Sequence, residues 1–399
     1  MNSKFLMLLV LVSFLSSCME ESTVIYEQPV PITQEVIIPE ENKPETETPP
    51  ATSEIYTWIT HMQQSNGLVE SAEFTDFVSL YDNALASLLF ISEGDFERAE
   101  MILDYFNQRL ETEFYQNNGG FFQYRNTSGN NGSRTWMGDN AWLLLAINNY
   151  HEKTNTQKYE ILASELENWL RSLQDEDGGL RGGINEDGTI IPKVTEGMIT
   201  AFNAVKGFDS FHEGILMYLQ EQRWDQDELV LITQTDNPAY NNALDLHSLG
   251  SLIFESFPVE ILSNASRFLT AHSSTTNGLT ISGYCFDEDK DVVWLEGTAQ
   301  MALAYQVAGI KEESATIMTN LQKALIKSSM AENATGIPYT TNFGTNFGAV
   351  FLWDHTDIAP AISSSAWYLF VENEFNPFEA ERTKEIPAEL QFWNQGSVN

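Results

Sequence analysis

Six acidic residues, Asp82, Asp139, Glu196, Asp245, Glu296 and Asp357, recur along the 399-residue chain at intervals of 57, 57, 49, 51 and 61 residues. Each stands at or near the expected start of a hydrophobic helical stretch. Two carboxyl groups are what cleavage of a glycosidic bond needs, one protonated to assist the leaving oxygen and one ionised to activate water or attack. Carboxyl groups reaching inward from helices whose axes stand roughly 8–10 Å apart could meet the ~6.5–9.5 Å separation of an inverting reaction. Trp294 and Gly297 flank Glu296 and offer an apolar wall that would keep a carboxyl protonated, whereas a helix N-terminus favours the ionised form. Glu296 is therefore the expected general acid and Asp139 the expected general base, with Glu196 and Asp82 as competitors for the two roles. The alternative for each acid taken singly is helix capping.

Tyr81, Trp136, Trp294 and Trp353 each precede one of these acids by one to four residues. Flat rings beside carboxylates suit sugars, whose CH faces stack on aromatics while their hydroxyls bond to the acids; a hydrophobic staple at the helix entry is the other role such rings play. Asn140, Asp245, His247 and Asp357 complete the expected substrate-binding set. His247 and His355 lie two residues from Asp245 and Asp357, where either could serve as a base in a lyase or epimerase or simply be a hydrogen-bonded structural histidine. Asp287, Asp289 and Asp291 have the alternating spacing that wraps Ca²⁺ with oxygen ligands, although Val292 stands where such a loop has glycine. A solvated turn is the other reading of that segment. No P-loop, His-Glu-x-x-His or Gly-x-Ser-x-Gly motif is present.

The elements that must position these residues alternate. Stretches near 80–92, 138–151, 195–206, 243–256, 296–308 and 358–373 are apolar nearly all round, and those near 54–65, 95–112, 157–173, 209–221, 258–271 and 311–329 are amphipathic. Connections from an apolar stretch to the next amphipathic one are short, as in Glu93-Gly94-Asp95, whereas the returns at 113–136, 174–194, 222–241, 272–295 and 330–356 are long. Short links make antiparallel hairpins, so every long return falls on one face, together with the amino ends of the apolar helices. Long loops gathered on one face mark it as the working surface. Repeat units of about 50 residues that cannot bury their apolar faces alone call for a closed toroid or an open solenoid. The expected fold is all-α, an (α/α)6 toroid of twelve helices, six inner and six outer, over residues 53–378.

Twenty basic residues against 57 acidic ones give a formal charge of −37. That balance repels nucleic acid and anionic membrane surfaces and favours a neutral or cationic ligand. Residues 1–17, with Lys4, an apolar run from Phe5 to Leu15 and then Ser16-Ser17, read as a signal peptide. Leu15-Ser16-Ser17-Cys18 resembles a bacterial lipobox, which makes Cys18 the expected lipidation site and the membrane a partner through acyl chains. Residues 18–52, rich in Pro, Thr and Glu, form an expected acidic linker, and 379–399 an expected polar C-terminal tail. Cys285 is the other cysteine, which leaves no intramolecular disulfide within the mature domain.

The blocks Ser79-Leu80-Tyr81-Asp82-Asn83-Ala84, Gly138-Asp139-Asn140-Ala141-Trp142, Thr195-Glu196-Gly197-Met198, Asp245-Leu246-His247-Ser248 and Trp294-Leu295-Glu296-Gly297-Thr298 resemble the six-hairpin glycosidase-like (α/α)6 toroids. That is the architecture of glucoamylases, several endoglucanases and unsaturated glucuronyl hydrolases. The resemblance implies an envelope-anchored glycoside hydrolase of an oligo- or polysaccharide, monomeric and free of redox cofactor, in the outer membrane by the acidic Glu20-Glu21 after Cys18. A non-catalytic glycan-binding lipoprotein, or a polysaccharide lyase or sugar epimerase on the same fold, are the alternatives.

Overall fold

The structure is a computed structural model that describes residues 51–117, 119–233, 242–347 and 350–394. The expected signal peptide, Cys18 and nearly all of the linker lie outside them. Twelve α-helices are present among the described residues: α1 (Ala51–Met62), α2 (Leu80–Ser92), α3 (Phe96–Asn107), α4 (Met137–Thr154), α5 (Glu160–Ser172), α6 (Thr195–Ala204), α7 (Ser210–Gln222), α8 (Asp245–Ile253), α9 (Glu260–Asn264), α10 (Leu295–Val307), α11 (Lys311–Leu321) and α12 (Ile362–Glu372). The even-numbered helices are the inner ones. In α10 every residue from Leu295 to Tyr305 is buried, which small side chains such as Gly297, Ala299, Ala302 and Ala304 allow. The odd-numbered helices bury one stripe. In α5 this is Leu162, Ala163, Leu166, Trp169 and Leu170, the spacing of an amphipathic helix.

The six inner helices pack in the order α2, α4, α6, α8, α10, α12, and α12 packs back on α2. The ring is therefore closed, an (α/α)6 toroid. A hydrogen-bond relay runs around it at the helix starts. Leu80 N–H donates to Gln123 O at 2.8 Å, Met137 to Gly182 at 2.8 Å, Leu244 to Phe286 at 2.9 Å, Leu295 to Tyr339 at 2.9 Å and Ile362 to Ser71 at 2.9 Å. At α6 the Thr195 hydroxyl does the same, reaching Ile232 O at 2.6 Å. Each acceptor belongs to the loop that enters the next helix round, so N–H groups that a helix leaves without internal partners tie the loops into a collar. Antiparallel pairing reinforces it: 78–79 with 124–125, 135–136 with 183–184, and 183–184 with 190–191. Isolated bridges join Trp294 to Thr340 and Ala72 to Ala361.

The opposite face carries the short connections and is closed by the C-terminal segment. Phe378 packs on Trp142 of α4 at 4.9 Å. Asn149 and Asn203 donate to Pro377 O at 2.9 Å and Phe378 O at 3.2 Å. Residues 379–394 do not behave as the expected polar tail. Phe392 and Trp393 are buried, with Trp393 5.0 Å from Phe254 and 5.3 Å from Phe257. This aromatic pair burying its area against the ring outweighs the polar residues around it. Helix α1 starts on the same face, since it ends at Met62 where the mouth loop into α2 begins; at its middle Tyr56 bonds Asp95 of the α2–α3 connection at 2.9 Å and Trp58 bonds Glu73 of that mouth loop at 2.9 Å.

Candidate active site

Five of the six acids stand in the first turn of an inner helix. Asp82 and Asp139 are the third residues of α2 and α4, Glu196 and Glu296 the second of α6 and α10, and Asp245 the first of α8. Asp357 does not follow the pattern. Helix α12 begins at Ile362, because Pro360 biases the residue before it to extended backbone and closes off an earlier start. Buried Asp357 thus lies in the entering loop, and Ser363 takes the corresponding place on α12.

Capping does not account for these acids. At α2 the cap is Ser79, whose hydroxyl accepts from Asp82 N–H. At α4, α6, α8 and α10 the cap positions are Trp136, Val194, Leu244 and Trp294, which form no side-chain cap bond, and of the acids beside them Asp245 alone takes backbone N–H groups at the start of its own helix. The carboxyl groups are turned to the ring instead.

Glu296 is the most fully held. Tyr81 of α2 donates its hydroxyl to one carboxyl oxygen at 2.7 Å, Ser363 of α12 donates to the other at 2.7 Å, and Gln300 one turn on donates at 3.3 Å. The Tyr81 oxygen in turn accepts the Trp367 indole N–H at 2.8 Å, and Ser248 of α8 donates to Gln300 at 3.2 Å. Asp82 accepts from the Tyr339 hydroxyl at 3.1 Å. Asp139 accepts from Gln123 at 3.3 Å, and Gln123 is fixed by Arg134 Nε at 2.5 Å. The Arg134 guanidinium lies 4.6 Å over the Trp136 ring. One oxygen on each of Asp82, Asp139 and Asp245 is buried with no hydrogen-bond partner.

Glycines set the approach of α4 and α6. A Cβ on Gly197 would stand 3.0 Å from Gly138 Cα, and one on Gly138 would stand 3.1 Å from a Glu196 carboxyl oxygen. Only two bare backbones pack this closely, and the contact brings Asp139 and Glu196 side by side.

Burial and crowding raise every one of the five carboxyls. Burial pushes Asp139 up to about 8, with the Glu196 charge adding to it and Arg134 opposing. Asp245 rises to about 8 from burial and the same Glu196 charge. Glu296 rises to about 7 from burial, held back by the Ser363 and Tyr81 donors, and Asp82 to about 6 from burial. Glu196 is raised by burial alone, with Trp142 and Thr200 stabilising its charged form. The helix N-termini thus lose to desolvation, and Asp139 prefers its proton more strongly than Glu296. The wall expected beside Glu296 exists, since the Trp294 ring covers Gly297, yet the hydrogen-bond donors around Glu296 favour its ionised state.

Other expected residues take different places. Asn140 is fully buried and committed to backbone: it accepts from Phe121 N–H at 2.9 Å and donates to Phe121 O at 3.1 Å and Trp136 O at 2.8 Å. Asn83 latches Val69 in the same way, so this asparagine fixes a loop and is not free for a ligand. His247 faces the outer layer, its Nδ1 3.1 Å from Ile261 O and its ring on Phe268, and burial lowers it to about 4. It offers no base to the mouth. Trp294 is buried and stacks on half-buried Trp353 at 5.2 Å, with Phe286 against both, so Trp353 and Trp136 are the rings left partly open. Tyr339, Ser363, Trp367, Gln300 and Arg134 belong to the site and were not anticipated. Ser363 alone carried a signal, as a polar residue at the start of an apolar run.

A second acidic group forms at the loop into α10. The buried Cys285 thiol lies 4.0, 3.6 and 3.7 Å from carboxyl oxygens of Asp287, Asp289 and Asp291, and Thr345 donates to Asp291 at 2.5 Å. Cys285, Asp287 and Asp289 could hold a metal ion. Burial pushes the thiol up to about 11, and a protonated thiol among the oxygens is a poor neighbour for the hard Ca²⁺. A surface hollow of about 580 Å³ lies elsewhere, lined by Tyr56 and the α2–α3 connection.

No family model matches the sequence, and no curated protein sequence matches it. Solved structures do match the fold. A glycosidase variant in complex with glucose aligns with a TM-score of 0.57 at 11% identity over 81% of this chain and 95% of that one. An alpha-amylase from Clostridium perfringens aligns at 0.58 and 13% identity over 81% and 97%. A sugar epimerase from a ruminal bacterium aligns at 0.55 and 12% identity over 81% and 96%. The chain thus has the fold of the six-hairpin glycosidase-like (α/α)6 toroids.

Proposed function

We propose that the protein is a glycoside hydrolase acting in the ring mouth. The observation that carries this reading is the gathering of five carboxyl groups from five different helices, in which Glu296 is ringed by three hydrogen-bond donors and Asp139 keeps one oxygen unpartnered. Environments that separate two carboxyl groups in this way assign the acid and the base. Asp139, held protonated and with one free oxygen, gives its proton to the glycosidic oxygen as the bond to the anomeric carbon breaks. Glu296, whose ionised form is favoured by Tyr81, Ser363 and Gln300, takes a proton from the water that attacks that carbon. These roles reverse those expected from sequence. Helices α4 and α10 stand opposite each other in the ring, so the two groups flank a sugar from either side, as inversion requires. Trp136 and Trp353 offer ring faces at the rim.

His247 facing away from the mouth disfavours histidine-based epimerisation. Anchoring through lipidated Cys18 in the outer membrane is part of the proposal. The test is separate Asp139→Asn and Glu296→Gln substitution in folded protein, with products analysed by mass spectrometry. Each variant should lose at least ~100-fold in rate, the usual worth of a general acid or base; unchanged hydrolysis by either would sink the assignment.

A further inference from the structure

The mouth is short of positive charge. Five carboxyl groups face it, and among the described residues the one cation that acts on any of them is Arg134, on Asp139. Arg134 is itself occupied by Gln123 and by the Trp136 ring. The remaining acids have only one another's charges and neutral donors. Three carboxyl oxygens, on Asp82, Asp139 and Asp245, are also buried without a hydrogen-bond partner, although Asp82 and Asp139 are only 2% and 6% exposed. A buried acceptor left unmade costs desolvation energy; Asp139 keeps its proton to give, so the oxygens on Asp82 and Asp245 are the ones open to a ligand that donates.

The ligand chemistry follows. An anionic sugar, a uronate or a sulfated unit, would add like charge to a crowded acidic floor, where Arg134 is the cation that acts against it. A neutral sugar supplies hydroxyl donors. A sugar carrying an ammonium group supplies three donors and a positive charge; beside it a carboxyl that burial keeps protonated, such as Asp245, releases its proton to solvent, and the resulting charge-assisted bond is about twice as strong as a neutral one. We infer that the mouth selects a sugar bearing a free amino group, a glucosamine-type unit, over its N-acetylated, neutral and anionic counterparts. This rests on the hydrolase reading for the location of the site and deepens it to a substrate class.

The experiment is calorimetric binding of the full chain at pH 6.5 to four tetrasaccharides: β-1,4-glucosamine, its N-acetylated form, a cello-oligosaccharide and an oligogalacturonate. The glucosamine oligomer should bind at least about tenfold more tightly than any other, the worth of one charge-assisted bond. Its affinity should fall in high salt and fall about tenfold again in Asp245→Asn, while circular dichroism shows the variant folded. Equal or tighter binding of the N-acetylated, neutral or anionic oligomer overturns the inference, as does no binding of any of the four. The two proposals fail separately. A glucosamine oligomer that binds first and is never cleaved sinks hydrolysis alone, and cleavage of all neutral oligomers without preference sinks the amino-sugar selection alone.

Discussion

Replacing Tyr81 with Phe removes one oxygen and tests how Glu296 is tuned. The hydroxyl donates to Glu296 at 2.7 Å and accepts from Trp367 at 2.8 Å. A donor to a carboxylate favours its ionised form, and such a bond is worth about 1.5–3 kcal/mol. At 1.36 kcal/mol per pKa unit, losing it raises Glu296 from about 7 by about one to two pH units. With Glu296 as base, the ionised fraction at pH 7 falls from about one half to about one tenth or less, so kcat/KM falls about fivefold or more. The deficit should shrink as pH rises. The assay is the pH profile of kcat/KM, read at its acidic limb. Ser363→Ala, which removes a donor to the other oxygen, should move the same limb without disturbing Trp367. Tyr81→Phe should also lower the thermal midpoint, because Trp367 is left with a buried, unmade donor costing about 1–3 kcal/mol. An acidic limb unmoved in both variants would refute Glu296 as the base and Tyr81 as the group that positions it.

Three further outcomes follow from the geometry. Carboxyls raised by burial bind protons in the folded state that the unfolded chain has already released. Stability should therefore fall as pH rises from about 5 to about 8, through the folded values of Glu296 and Asp139. Asp139→Asn should flatten that slope in thermal melts; a slope unchanged by it would mean Asp139 is not protonated at neutral pH. Gly197→Ala places a methyl 3.0 Å from the Gly138 backbone, which, unlike the nearby Met137 side chain, cannot swing aside. It should cost about 1–3 kcal/mol by denaturant titration and reduce turnover more than binding. Trp393→Ala should cost about 3–5 kcal/mol, where removal from a free polar tail would cost nothing measurable.

Much of this architecture was legible because it is local. A run such as Asn140-Ala141-Trp142-Leu143-Leu144-Leu145 must be buried all round, and stripes like Leu162, Leu166 and Leu170 must be outer. Alternating short and long connections then fix which helix ends share a face. The error at Asp357 came from counting intervals past Pro360, whose effect on the backbone was visible in the sequence. The tail was misjudged from its polar majority, although Phe392-Trp393 carried the opposite signal.

What could not be read is non-local. Nothing in the chain order shows that Asn140 is spent on Phe121, that His247 turns outward to Ile261, or that Tyr81 crosses the mouth to Glu296. The proposed reversal of roles has the same origin. Trp294 beside Glu296 is a neighbour in sequence, whereas Tyr81 and Ser363, which favour the charged form, come from other helices. For Asp139 the helix dipole was the legible term, and burial under the loop collar outweighs it.

The most direct test of the central claim is incubation of the protein with a glycan panel in ¹⁸O-labelled water, followed by mass spectrometry of the products. Hydrolysis by the mouth carboxyls predicts shortened glycans with one ¹⁸O at each new reducing end, and their loss in Asp139→Asn. Products of unchanged length, or shortened products lacking the label and carrying an unsaturated end, would contradict it.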